Sequence, residues 1–155
     1  MGQAYFYHLT RSPLDETLPP LLARCAQAGW RVAIRGRARM MLERLDRALW
    51  LTPADGFLPH GLSGGPYDAD QPVLLTDGTQ MPNQAACLMA VDGAEIAPEE
   101  AKALERVCLL FDGHDAAAVD AARAQWRALT GAGVAALYWA QGESGGWEKR
   151  AESGV

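Results

Sequence analysis

The sequence predicts one α/β domain built on a mainly parallel sheet flanked by helices. Three observations carry that expectation. Residues 72–76 (PVLLT), 87–91 (CLMAV) and 107–111 (VCLLF) are continuous apolar runs of strand length, the pattern of strands buried on both faces. Such runs alternate with helical patterns along the chain, which points to parallel strands joined by crossover helices. The 155 residues suffice for one sizeable core and would cramp a second.

Residues 4–9 are short, apolar and rich in aromatic groups, a first buried strand. A helix follows, with Ser12 placed to cap it, Pro13 at its first position and Asp15 where a capping carboxylate belongs. Pro19 and Pro20 leave its start open between that point and Leu18, because proline breaks the ladder of a helix interior. It runs to about residue 28, Gly29 ends it, and RVAIR at 31–35 reads as the second strand.

Residues 37–51 form the next helix, with Leu42, Leu45 and Leu49 on one buried face. Thr52-Pro53 breaks it, since the residue before a proline is pushed out of helical geometry. Trp50, Phe57 and Leu58 then cluster around a Pro, Asp and Gly turn, where loops are normally small and polar. Such groups either plug the domain's own core or anchor an interface.

Residues 61–71 are dense in glycine and proline and read as a mobile surface loop. A helix over 98–104 leads into the third apolar run. Asp112-Gly113-His114-Asp115 then turns into a long alanine-rich helix ending near residue 130, and residues 134–139 give a last strand. The folded unit is expected over residues 1–141, with 142–155 a glycine-rich tail that frays.

Composition removes several function classes. There is no long apolar run and no leader pattern, so neither a membrane span nor a secretion signal is expected and the reading is cytoplasmic. Cys25, Cys87 and Cys108 are odd in number, widely spaced and set in apolar contexts, which reads as buried free thiols without nearby partners. A net charge of −5, from 14 basic against 19 acidic side chains, disfavours direct binding to nucleic-acid phosphates.

Catalytic patterns are equally sparse. After the first strand the chain offers LTRSP, with no glycine to let a pyrophosphate approach the backbone, and Gly61, Gly64 and Gly65 precede no Lys-Ser or Lys-Thr. A nucleotide-binding loop is therefore absent, and no cofactor or metal is expected. His8, His60 and His114 are scattered. Asp112 and Asp115 follow a buried strand, where carboxylates of a metal-dependent nuclease or phosphotransferase could sit, but helix capping is the simpler role. A direct single-stranded nucleic-acid-binding module is the other rival reading.

The long helix near the C-terminus carries more. Val119, Ala122, Trp126 and Leu129 form its inward stripe, and Arg123 and Arg127 lie four apart on an adjoining face. At about 100° per residue, Trp126 falls roughly 60° from Arg123, so a ring and two guanidinium groups can border one patch. That suits a peptide with acidic residues, an apolar side chain and a terminal carboxylate. A core tryptophan flanked by solvated arginines is the plain alternative.

Several segments, in order, resemble the chi subunit of bacterial DNA polymerase III holoenzyme: YFYHL at 5–9, LDRALW at 45–50, FLPH at 57–60, PVLL at 72–75, VCLLFDG at 107–113 and AQWR at 124–127. The likeness covers about residues 4–150, and ALW followed by FLPH is its most specific part.

The resemblance implies a Rossmann-like domain that has lost its nucleotide site and serves as a non-catalytic accessory subunit. It implies an adaptor that links the clamp loader to single-stranded-DNA-binding protein by gripping that protein's acidic C-terminal tail, touching DNA only indirectly. The tail site implied falls on Arg123, Trp126 and Arg127. A second surface, for the psi subunit or a clamp-loader equivalent, falls on Trp50 and Phe57, with Leu58 beside them.

Overall fold

A computed structural model of the chain describes residues 2–51, 59–144 and 146–154. Eight strands form one sheet in the order β3-β4-β2-β5-β6-β1-β7-β8. They are β1 (Gln3–Leu9), β2 (Val32–Arg35), β3 (Gly61–Leu62), β4 (Val73–Thr76), β5 (Cys87–Ala90), β6 (Arg106–Asp112), β7 (Ala135–Gln141) and β8 (Trp147–Ser153). Every neighbouring pair is parallel except β7 with β8. The expected α/β, Rossmann-like architecture is thus what the chain adopts.

The helices are α1 (Leu14–Gln27), α2 (Arg39–Leu51), α3 (Pro98–Ala103) and α4 (Ala116–Gly131). Strand alternation divides the core into two layers. Tyr7 and Leu9 of β1 pack with Leu18, Leu22 and Cys25 of α1 and with Leu42, Leu45 and Leu49 of α2. Phe6 of the same strand packs on the other face with Ala101 of α3 and Ala122 and Leu129 of α4. All residues of β2, β4 and β5 are buried, the apolar runs together with the polar residues Arg35 and Thr76 that close β2 and β4.

Three expectations are corrected. Ser12 does not cap α1: Pro13 occupies the cap position with an extended backbone and no side-chain bond, and the helix begins at Leu14 with Pro19 and Pro20 inside it. Each proline removes one ladder bond, yet both lie on the outer side while Thr17, Leu18, Leu21, Leu22 and Cys25 are buried, and that burial holds the turn.

The stretch 61–71, expected as a mobile loop, carries β3 and a 3₁₀ turn at Asp68–Asp70. The Asp68 carboxylate accepts from the Gly64 and Gly65 N–H groups at 2.8 and 3.1 Å, and Arg39 donates to the Ser63 carbonyl at 2.6 Å. The segment from Gly142, expected to fray, holds β8, which pairs antiparallel with β7 from Gln141 opposite Trp147 to Ala136 opposite Ser153.

The cysteines are buried free thiols as expected, and from α1, β5 and β6 they lie near one another, with Cys87 beside both Cys25 and Cys108. The Cys25 thiol is pushed well above its ordinary range by the neighbouring Cys87 and by burial. Among the described residues no helix is long and apolar enough to cross a membrane.

Candidate functional site

Helix α4 is fixed at its start by Asp115, whose carboxylate accepts from the N–H groups of Ala117 at 3.0 Å and Ala118 at 3.4 Å. Asp112 accepts from the His114 N–H at 2.9 Å. Both carboxylates therefore serve the turn, and among the described residues no cluster of His, Cys, Asp or Glu is arranged to hold a metal. Asp115→Ala is expected to lower stability by about 1 kcal/mol through loss of the cap, as read by urea denaturation.

The stripe of α4 faces inward as its spacing predicts, and Trp126 shows how. Its ring meets Phe6 edge-on at 5.2 Å between centroids and Tyr138 at 6.0 Å, and it remains half-buried. Trp126 is thus both part of the second core layer and an aromatic border to the surface. Arg123 and Arg127 are exposed beside it, and among the described residues neither forms an ion pair.

Two residues that the sequence did not single out complete this face. The Tyr138 hydroxyl of β7 and Nδ1 of His8 on β1 are 2.6 Å apart. Burial pushes the His8 pKa below its ordinary value, a bond to the Gly113 backbone acts in the opposite sense, and the nearby charges of Arg123 and Arg150 add to the lowering. The hydroxyl and Nδ1 share one hydrogen bond, whose donor is set by the imidazole tautomer.

Burial raises the Tyr138 pKa against the pull of Arg123. The result is a partly exposed aromatic pair, Trp126 and Tyr138, backed by the buried ring of Phe6, on a face where the exposed Arg123 and Arg127 form no ion pair among the described residues, in a chain of net charge −5. It can hold a carboxylate beside an apolar side chain. The alternation of β1, which turns His8 and Phe6 to one side, was the available sequence signal.

Gly113 locks that arrangement. A β-carbon there would fall within the His8 ring and 2.9 Å from the Leu9 carbonyl oxygen. Gly113→Ala should cost about 1–3 kcal/mol and displace His8 from Tyr138, visible as a lowered melting temperature.

The other predicted residues lie at the end of α2. Trp50 is 49% and Leu51 80% exposed. The Trp50 ring lies 4.1 Å from that of His60, which is buried with Nε2 3.2 Å from the Asp46 carbonyl oxygen. Phe57 and Leu58 lie outside the described residues.

A family model described as DNA polymerase III chi subunit, HolC, matches residues 1–136. The chain belongs to the DNA polymerase III chi subunit family. A relative from Rickettsia prowazekii (strain Madrid E), named "Probable DNA polymerase III subunit chi", is 27% identical over 117 residues, spanning 72% of this chain and 71% of its own. Membership in the chi family makes the chain an accessory subunit in replication. The match takes in β1 to β6, α1 to α4 and the first residues of β7, including Arg123, Trp126, Arg127 and Trp50 but not Tyr138.

Proposed function

We propose that this chi-family chain is a non-catalytic adaptor that grips the acidic C-terminal tail of single-stranded-DNA-binding protein through α4. The observation that carries the reading is the pair of exposed, unpaired guanidinium groups of Arg123 and Arg127 flanking the half-buried Trp126. Tail carboxylates bond to the two arginines, charge-assisted and in part bidentate, and the terminal apolar side chain packs beside Trp126. Attraction between charges exposed to water weakens with salt. An oligomeric partner that presents several tails raises their local concentration without any new contact.

The end of α2 forms the second contact, with the psi subunit or a clamp-loader equivalent. Support comes from Trp50 and Leu51, large apolar groups 49% and 80% exposed at a helix end. Two separate surfaces on one rigid sheet suit a linker between replication proteins in the cytoplasm. DNA is left to the partner, consistent with the acidic balance of the chain.

The test is binding of the full chain to single-stranded-DNA-binding protein, intact and lacking its acidic tail. Binding to the intact protein alone agrees with the proposal. Equal binding to both would place the contact elsewhere on the partner and overturn it.

A further inference from the structure

The turn between β1 and α1 has a feature unconnected with either surface above. Three consecutive backbone N–H groups, those of Thr10, Arg11 and Ser12, converge on one atom, the Gln141 side-chain oxygen, at 3.0, 2.8 and 3.1 Å. Only an acceptor can sit where three donors meet, so the orientation of the carboxamide is fixed by chemistry. Gln141 is 8% exposed. Convergent N–H groups of successive residues make a concavity of the kind that holds anions.

Its place in the fold is equally specific. From β1 the chain crosses by α1 toward β2 on one side of the sheet, whereas from β6, its neighbour, it crosses by α4 toward β7 on the other. Adjacent strands whose connections depart to opposite faces open a crevice beyond their carboxyl ends, where doubly wound sheets receive ligands. A cleft of about 920 Å³ opens there, lined in part by Thr10, Arg11, Ser12, His114 and Asp115. The turn borders that cleft, and its three donors are taken by Gln141 of β7, on the far side of β1, which does not line the cleft.

The occupant is held in place by the hairpin of β7 and β8. Gln141 is the last residue of β7 and pairs with Trp147, the first of β8. The Gly142 N–H donates to the Gly146 carbonyl at 2.8 Å, and the Trp147 ring packs edge-on against Tyr7 at 5.0 Å. The Thr10 hydroxyl adds a bond to the Gln141 carbonyl at 3.4 Å. We propose that the turn at residues 10–12 is an oxyanion nest whose resident occupant is the Gln141 carboxamide oxygen. The β7–β8 hairpin straps it shut, and it takes a tetrahedral oxyanion of the phosphate or sulfate type once that side chain is withdrawn. The three N–H groups of the turn are then self-occupied in this chain.

Full-length Gln141→Ala and the unaltered protein would be melted over a series of inorganic phosphate concentrations at constant ionic strength. The variant should gain on the order of 5 °C more than the unaltered protein as phosphate saturates. A folded variant that responds no more than the unaltered protein overturns the proposal. Should Gln141→Ala fail to fold, Gln141→Glu decides, because it places a carboxylate on the same donors. A nest built for anions makes it at least as stable as the unaltered protein at pH 7. A lower stability, as for a buried charge without compensation, overturns the proposal.

Discussion

Replacing Arg35 with alanine should remove about 1–3 kcal/mol of unfolding free energy, the cost of leaving the acceptors of a buried guanidinium without their donors. Arg35 ends β2 and is 5% exposed. All of its donors are engaged. Nε donates to the Gly78 carbonyl at 3.1 Å, and the remaining N–H groups to the carbonyls of Thr79 and Glu95 and to both oxygens of Glu100 at 2.7–3.1 Å. One guanidinium thereby ties the connection that leaves β4 to the start of α3. Lysine keeps the charge but not the planar fork, so Arg35→Lys should recover only part of the loss.

The pH dependence follows from Glu100. Its bond to Arg35 holds the carboxyl below the usual carboxylate range, against the opposing effect of burial. A depressed folded-state value means that the stabilisation is present above the unfolded-state pKa, about 4.3 for glutamate, and is lost as pH falls through the lower folded value. Urea titrations at pH 7 and pH 3 should therefore show a wide gap between the unaltered protein and Arg35→Ala that narrows in acid.

Charge reversal at Arg127 should have the largest effect on binding. Arg127 is exposed and without an ion-pair partner among the described residues, so Arg127→Glu should shift stability by less than about 0.5 kcal/mol. Loss of a charge-assisted bond to the tail costs about 1.5–3 kcal/mol, roughly 10- to 150-fold in Kd, and repulsion of the tail adds to it. Anisotropy of a labelled tail peptide, with the melting temperature as control, reads both. Equal affinity in a folded variant would remove Arg127 from the site.

The contrast between these residues shows what was legible in the sequence. The buried strands declare themselves because β5 is apolar throughout and β2, β4 and β6 are apolar runs bounded by polar or charged residues, and α4 because Val119, Ala122, Trp126 and Leu129 recur at helical spacing. The edge strands stay hidden for physical reasons. β3 has only two residues, and β8 reads WEKRAES, the charged composition that keeps an exposed edge from pairing with other chains. A charged strand after a glycine run looks like a tail, and Trp147 alone hinted at a packed face.

The candidate site was legible only where it lies on one element. Arg123, Trp126 and Arg127 share α4, so helix geometry groups them. His8 and Tyr138 are 130 residues apart and meet because β1 pairs with β7. The same holds for the thiols of Cys25, Cys87 and Cys108, and for Gln141, which serves a turn 129–131 residues upstream. Arg35 could have been noticed as a charge closing a buried strand, but its partners come from loops that no periodicity marks.

The most direct test of the account is a calorimetric titration of the full chain with an acidic peptide ending in Asp-Asp-Ile-Pro-Phe, at two salt concentrations, beside the same peptide without its terminal Phe. The account predicts micromolar binding that weakens as salt rises and falls further when the terminal ring is missing. Absence of binding at low salt, or binding indifferent to both salt and the terminal ring, would contradict it.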